Sequence, residues 1–325
     1  MSGDEPIVVT GAAGFIGHAV AEALLARGER VVGVDNFNDY YDVALKEARA
    51  ATLTARPGFT LARLDIAEPD AFAGLLHESG ARQVVHLAAQ AGVRYDNSRA
   101  YAHSNLVGHL AVLEACRARD GLRHLVYASS SSVYGERSGR RAFSERDRLG
   151  PPTSLYAATK QADELMSGAY AHLYGLPQTG LRFFTVYGPW GRPDMAYYAF
   201  TRAILAGEPI EVFGDGQLTR DFTYIDDIAD GLIAVLERPP EAPRHRVLNI
   251  GAGRPQTIST LVRTLERLLG VKARMVAGAK PAGDVPATFA DVSALTALTG
   301  YAPKVGLEEG LRRFVAWYRR REGLA

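Results

Sequence analysis

The front half of the chain alternates short apolar runs with helical patterns. "PIVVT", "RVVGVD", "FTLARLD", "QVVHLAA", "HLVYASS" and "TGLRFFTVYG" are apolar and β-branched almost throughout, and stretches such as "FIGHAVAEALLARG" repeat apolar residues at helical spacing. A strand with no polar face has to be covered on both sides. Strands of that kind, separated by helices, predict an α/β fold with a doubly wound parallel sheet. After Gly188 the pattern becomes irregular, with "PIEVFG", "YIDDIADGLIAVLE", "RVLNIG", "TISTLVRTLERLLG" and "GLEEGLRRFVAWYRRR" in turn. The expected division is a first domain over residues 1–187, joined by about 222–250, and a smaller interleaved α/β lobe mainly over 188–325.

The first strand runs into "VVTGAAGFIGHAV", which places Gly11, Gly14 and Gly17 in a strand–turn–helix. Glycines there permit a tight turn and close backbone approach, and the helix start offers N–H groups and positive dipole to a pyrophosphate. The second strand ends in Asp35, 18 residues past Gly17. A carboxylate at that point accepts from both hydroxyls of an adenosine ribose and repels a 2′-phosphate, and "NFN" after it supplies no arginine, so the expected cofactor is NAD and the first domain a Rossmann domain. Phe15, Ile16, Asn36 and Asn38 flank these positions. Asp65, with Ile66 after it, falls where the adenine edge would lie; its alternative role is N-cap of the helix "EPDAFAGLL".

"SLYAATK" sets Tyr156 and Lys160 at i and i+4, on one helix face. A tyrosine is a poor base at neutral pH unless a neighbouring cation stabilises the phenolate, which Lys160 is placed to do. The preceding strand ends in four serines, "YASSSSVYG", at the carboxyl edge where open α/β sheets bind ligands. Other chemistries find less support. Net charge is +1 without a long basic block, which argues against nucleic acid and membrane surfaces. Eight histidines lack ligand spacing and no metal is expected; the one cysteine, Cys116, reads as a buried inert thiol. The N-terminal stretch carries no charged-then-apolar leader, so a cytoplasmic location is expected.

Taken together, these motifs resemble the extended short-chain dehydrogenase/reductases of the nucleotide-sugar epimerase family. The likeness continues through "HLAAQAGVRY", "RDFTYIDDIADG" and "GDVPATFADVS", and "FFTVYGPWGRPDMAYYAF" is most similar to the UDP-glucuronate 4-epimerases. The resemblance implies Tyr156 as base, Lys160 as its support and Ser130 as the catalytic serine. It implies that Leu87, Ala88, Ala89, Asn105, Ser129, Phe183, Phe184 and Val186 surround the cofactor. On the substrate side it implies Val212 and Phe213 against uracil, and Arg220 and Asp284 about the diphosphate and ribose, with Arg94 in reach. Two departures stand out: Thr185 replaces the asparagine of galactose-type epimerases, and Pro281 stands where many relatives carry arginine or glutamine, with Lys280 beside it. Relatives dimerise through two helices matching "NLVGHLAVLEACRA" and "QADELMSGAYAHLYG", so a homodimer is expected.

The implied reaction is a transient oxidation at C4 of a UDP-sugar, rotation of the 4-keto sugar, and hydride return to its other face. If the sugar is glucuronate, the intermediate is a β-keto acid, prone to lose CO₂ when the breaking bond aligns with the ketone. A guanidinium that grips the carboxylate through two bonds fixes that rotation. Arg192, in the proline-stiffened loop of "TVYGPWGRPDMA", is the candidate, with Thr185, Ser131 and Ser132 as neighbours. The sequence therefore favours a UDP-glucuronate 4-epimerase activity. A UDP-glucuronate decarboxylase, a neutral UDP-hexose 4-epimerase and a non-catalytic NAD-sensing protein are the alternatives.

Overall fold

The computed structural model of the protein describes residues 5–92, 97–137, 141–278 and 285–324. In chain order the elements are β1 (Ile7–Thr10), α1 (Phe15–Ala26), β2 (Val31–Asp35), α2 (Val43–Thr54), β3 (Phe59–Arg63), α3 (Pro69–Ser79), β4 (Gln83–His86) and α4 (Ser98–Tyr101). A π-helical segment (Ala102–Val107) leads into α5 (Gly108–Ala118), β5 (His124–Ser130), a 3₁₀ turn (Ser131–Tyr134), α6 (Leu155–Tyr174), β6 (Gln178–Phe183) and β7 (Thr185–Tyr187). Then follow α7 (Ala196–Ala206), β8 (Pro209–Phe213), β9 (Thr219–Arg220), β10 (Phe222–Tyr224), α8 (Ile225–Leu236), β11 (His245–Ile250) and β12 (Gln256–Thr257). The last elements are α9 (Ile258–Leu269), β13 (Arg274–Gly278), α10 (Ser293–Thr299) and α11 (Leu307–Arg321).

Seven parallel strands form the central sheet in the order β3-β2-β1-β4-β5-β6-β11. All four residues of β1 are buried, and the three apolar ones divide between two cores. Ile7 and Val9 pack with Val20 and Leu24 of α1 and with Leu232 and Leu236 of α8, whereas Val8 packs with Phe72 and Leu76 of α3 and with Val112, Leu113 and Cys116 of α5. Successive side chains of a strand point to opposite faces, so this split is the sheet covered on both sides that the apolar runs demanded. The doubly wound α/β expectation is met. Strand order reverses between β1 and β4, and at such a switch point the carboxyl ends of the strands open a crevice.

One strand reading needs correction. "TGLRFFTVYG" is two strands, not one. Phe183 ends β6; the N–H of Phe184 then donates to Ile250 O at 3.1 Å and that of Thr185 to Asp221 O at 3.1 Å. The chain thereby leaves the main sheet, and β7 pairs instead with β10. Apolar pattern is the same for both partners, so the switch has no local signal.

The loop after β7 is locked by aromatic packing. The Trp190 ring lies 5.4 Å from His18 of α1 and 5.3 Å from Trp317 of α11. Trp317 in turn belongs to a cluster with Tyr197, Tyr198, Phe314 and Tyr318. A Cβ at Gly191 would fall 1.6 Å from the Tyr197 hydroxyl, so the loop has no room for a larger residue there.

Candidate active site

A cleft opens at the switch point. Its floor is the β1–α1 turn. Gly14 N donates to Gly11 O at 2.9 Å, and a Cβ at Gly17 would come within 2.0 Å of that same oxygen. The helix start is thus bare backbone, as a phosphate site requires. Gly11, Gly14, Phe15, Ile16 and Gly17 line the cleft together with Leu87, Ala88 and Ala89 from the end of β4. The β4 exit is fixed by the Thr10 hydroxyl, which bonds to His86 Nδ1 at 2.8 Å and accepts from the N–H groups of Leu87 and Ala88.

Asp35 ends β2 at the cleft wall. Its carboxylate accepts from Ala13 N at 3.0 Å and Phe37 N at 2.9 Å, which ties the glycine turn to β2. A carboxylate has about four acceptor sites, so these two bonds leave capacity for ribose hydroxyls. Asn36, Asn38, Asp65 and Ile66 also line this end. Asp65 does not cap the following helix, whose N-cap is Glu68. It accepts instead from Ala67 N, from Asn36 Nδ2 at 2.9 Å, and is bonded to His103 Nε2 at 3.1 Å. Partial burial opposes its charge, but these bonds outweigh that and hold its carboxyl below the usual range. Lys46 of α2, absent from the sequence reading, lies here too; its ammonium donates to both oxygens of Asn38 at 2.6 Å, and burial pulls its pKa down.

The catalytic candidates meet at the other end. Ser154 caps α6 by accepting from Ala157 N at 3.1 Å, which sets the helix start and so the positions of Tyr156 and Lys160. Both line the cleft, with Ser129 and Ser130 from the end of β5 and Phe183, Phe184 and Val186 from the β6–β7 junction. Lys160 donates to Ala128 O at 3.0 Å and to Asp163 Oδ2 at 2.9 Å. Burial works against its charge, but Asp163 and the Tyr156 phenol hold it, so its pKa stands above the ordinary lysine value. An ammonium has three donors, and one remains for the cleft. Ser130 accepts from the N–H and the hydroxyl of Ser132. Ser129 spends its hydroxyl on Glu164 at 2.5 Å, and Glu164 is in turn gripped by Arg182 at 2.7 and 2.8 Å. Ser129 therefore offers the cleft its backbone, backed by a buried ion pair.

Arg192 lines the same end, close enough to Tyr156 to respond to its charge. The sequence reading assigns its fork to a sugar carboxylate; in the structure part of that fork is already bonded within the chain. Nε and Nη2 donate to the two oxygens of Asp194 at 3.0 and 2.6 Å, and the Tyr40 hydroxyl donates to Asp194 at 3.2 Å. Burial opposes the charge of Arg192, but Asp194 outweighs it and keeps the guanidinium protonated. Five donors in a fork leave the Nη1 edge for a second anion.

Several residues expected at the ligands are not among those that line the cleft. Asn105 is 1% exposed and its amide is consumed by Gln90 N, Gln90 O and Thr159 Oγ1, so it braces the cleft wall from behind. Ser131 and Ser132 open the 3₁₀ turn, where Ser132 donates to the Ser130 hydroxyl, and Thr185 opens β7; none of the three is among the residues that line the cleft. Val212 and Phe213 end β8 beside β13, and Arg220 on β9 donates to Thr219 O and Pro286 O; these residues are not among those that line the cleft. Arg94, Lys280, Pro281 and Asp284 lie outside the described residues. Sequence reasoning missed Tyr40, Lys46, Gln90, Met195 and Asp194; Asp194, two residues past Arg192, was the one with a readable signal.

With this geometry in hand, comparison with known proteins settles the family. Residues 7–251 match the model of the NAD dependent epimerase/dehydratase family. The chain belongs to that family. It is 47% identical to UDP-glucuronate 4-epimerase 4 of Arabidopsis thaliana, over 96% of this chain and 75% of that protein. Among solved structures it resembles the UDP-glucuronic acid 4-epimerase of Bacillus cereus in complex with UDP-glucuronic acid and NAD, with a TM-score of 0.91, 37% identity and coverage of 97% and 99% of the two chains. It also resembles the UDP-glucose 4-epimerase of Thermotoga maritima with UDP-glucose, at a TM-score of 0.87, 30% identity and 98% and 99% coverage.

Proposed function

We propose that the protein is an NAD-dependent isomerase that inverts C4 of UDP-glucuronate to give UDP-galacturonate. The observation that carries this reading is the convergence of Ser130, Tyr156, Lys160 and Arg192 at one end of a cleft whose other end has the glycine turn and Asp35. The glycine turn, the spare acceptor capacity of Asp35 and the remaining donor of Lys160 fit NAD. When bound, that cofactor supplies the hydride acceptor and donor for C4.

The chain's own residues do the rest. Tyr156 takes the proton of the 4-hydroxyl and later returns it. Lys160, held charged beside Asp163, stabilises the phenolate, and Ser130 orients the hydroxyl. Fixed donors around the reacting carbon lower the barrier by positioning. Arg192, with one edge on Asp194, uses its Nη1 edge to hold the sugar carboxylate out of line with the C4 ketone. That restraint favours epimerisation over decarboxylation, and an acid over a neutral sugar. The lobe over 188–325 supplies the nucleotide contacts, through Phe213 and Arg220.

Two further readings accompany this one. Leu110, Leu165, Leu173 and Tyr174 are exposed on α5 and α6, Leu165 at 76%, and a second copy of the chain would bury them. A single buried cysteine suits a reducing compartment, the cytoplasm. Among the described residues no helix is long and apolar enough to cross a membrane.

Purified protein given NAD and UDP-glucuronate is expected to form UDP-galacturonate, and Tyr156→Phe to lose this activity by at least about 100-fold. A pentose nucleotide as sole product, or full activity in Tyr156→Phe, would overturn the reading.

A further inference from the structure

Arg49 is an unusual residue for a helix that the sequence paints as half exposed. It is 0% exposed, yet among the described residues no carboxylate takes a bond from it. Its partners are all neutral. Nη1 donates to Ala13 O at 3.0 Å and to the Tyr41 hydroxyl at 2.6 Å; Nε donates to Trp190 O at 3.0 Å; Nη2 donates to Trp190 O at 2.5 Å and Gly191 O at 3.2 Å. Five bonds match the five N–H donors of a guanidinium. Burying a guanidinium on neutral acceptors is costly; burial works against its charge, and Asp35 supports it only through space. The same bonds do have a geometric result. Ala13 belongs to the glycine turn, while Trp190 and Gly191 immediately precede Arg192.

Trp190 adds a second observation. Its φ is +62°, in the left-handed region that bulky residues avoid. That conformation turns its carbonyl to the buried guanidinium, which takes it with two donors. The loop is therefore held in a form it would not choose by itself, and the holder is anchored on the cofactor turn. One planar cation spans both.

We propose that Arg49 is a positioning residue that keeps Arg192 in register with the cofactor turn, and so sets the ratio of C4 epimer to decarboxylated product. The product ratio rests on the function proposed above; the bracing of the loop does not. Lysine keeps the charge but has three donors on a point, and cannot bridge four acceptors in a plane.

The test is Arg49→Lys, read in two ways. In the protein without substrate, amide hydrogen exchange over residues 188–195 is expected to rise about tenfold, with the exchange of β5 and β6 unchanged. With NAD and UDP-glucuronate, the ratio of UDP-pentose to UDP-galacturonate is expected to rise about tenfold. In an Arg192→His background the same substitution is expected to add nothing further, because it acts through Arg192. Val235→Ala, a core truncation in α8 matched for loss of Tm, is expected to leave the ratio unchanged. If Arg49→Lys does not fold, Tyr41→Phe removes one acceptor and is expected to move both readouts in the same direction by less. Unchanged exchange in the loop, an unchanged ratio, or a full additional rise in the Arg192→His background would each overturn the proposal. If the wild-type protein forms no epimer, the functional reading fails, and the exchange experiment still decides the brace.

Discussion

Replacing Asp163 by asparagine is a sharp test of how the Tyr156–Lys160 pair is kept ready. The Asp163 side chain is 1% exposed and that of Lys160 is 5% exposed, with 2.9 Å between Oδ2 and Nζ. Asparagine keeps the shape and one acceptor but removes the charge, leaving a buried ammonium with Tyr156 and Glu164 as its remaining support. Removing one partner of a buried pair costs about 3–5 kcal/mol. At about 2.1 cal/mol/K per residue, the unfolding entropy of a chain this size is roughly 0.7 kcal/mol/K, so Tm is expected to fall by about 4–7 °C. The Lys160 pKa falls with it, because burial is opposed by less. The phenolate of Tyr156 then loses its cation, and kcat is expected to drop about 10- to 100-fold with little change in KM. The assay is a double-mutant cycle with Lys160→Met by thermal unfolding, alongside kcat against pH. The double variant is expected to be less damaged than the two singles together, with a coupling of about 2 kcal/mol or more. Singles that each cost under about 1 kcal/mol and simply add would refute the reasoning, as would an unaltered pH profile.

The other predictions are simpler. Arg192→His is expected to weaken UDP-glucuronate binding and to release UDP-pentose, seen by NMR of the products; unchanged affinity with no pentose would remove the clamp. Gly17→Ala puts a Cβ 2.0 Å from Gly11 O, so the glycine turn must open, and NAD titration is expected to show at least about a tenfold loss of affinity. Acid stability should follow the buried histidines. Burial lowers the pKa of His18 and His109 to about 3 and of His124 to about 4, and His86 also falls well below 6.5. Between pH 6.5 and about 4 the unfolded chain binds more protons than the folded one, so stability is intact above pH 6.5 and is lost as pH falls, by up to about 1.4 kcal/mol per pH unit for each histidine. A Tm that stays flat from pH 7 to 4.5 would contradict this.

The readable parts of the molecule are those governed by local pattern. The glycine turn, the Asp35 strand end and the Tyr156–Lys160 spacing all depend on neighbours in sequence, and all were placed from it. Lys160's partner Asp163 is equally local, three residues on, but nothing in the helix pattern singled it out. Distance in sequence hid the remainder. The break between β6 and β7 is decided by β10, and nothing in "TGLRFFTVYG" records it. Arg49 bonds to Trp190, 141 residues away, through backbone carbonyls that carry no residue signature. Its surroundings, "KEARAATL", read as a solvated helix face. Asn105, Ser131, Ser132 and Thr185, which the family resemblance put at the ligands, are not among the residues that line the cleft; the Asn105 amide is bonded to Gln90 and Thr159.

The central claim is that C4 inverts by losing its hydrogen as hydride and regaining the same hydrogen on its other face, under the control of Tyr156 and Arg192. Reaction of UDP-glucuronate with the purified protein and NAD in D₂O, followed by ¹H NMR, tests it most directly. The account predicts UDP-galacturonate with protium retained at C4. A pentose nucleotide as the main product, or deuterium at an inverted C4, would contradict it.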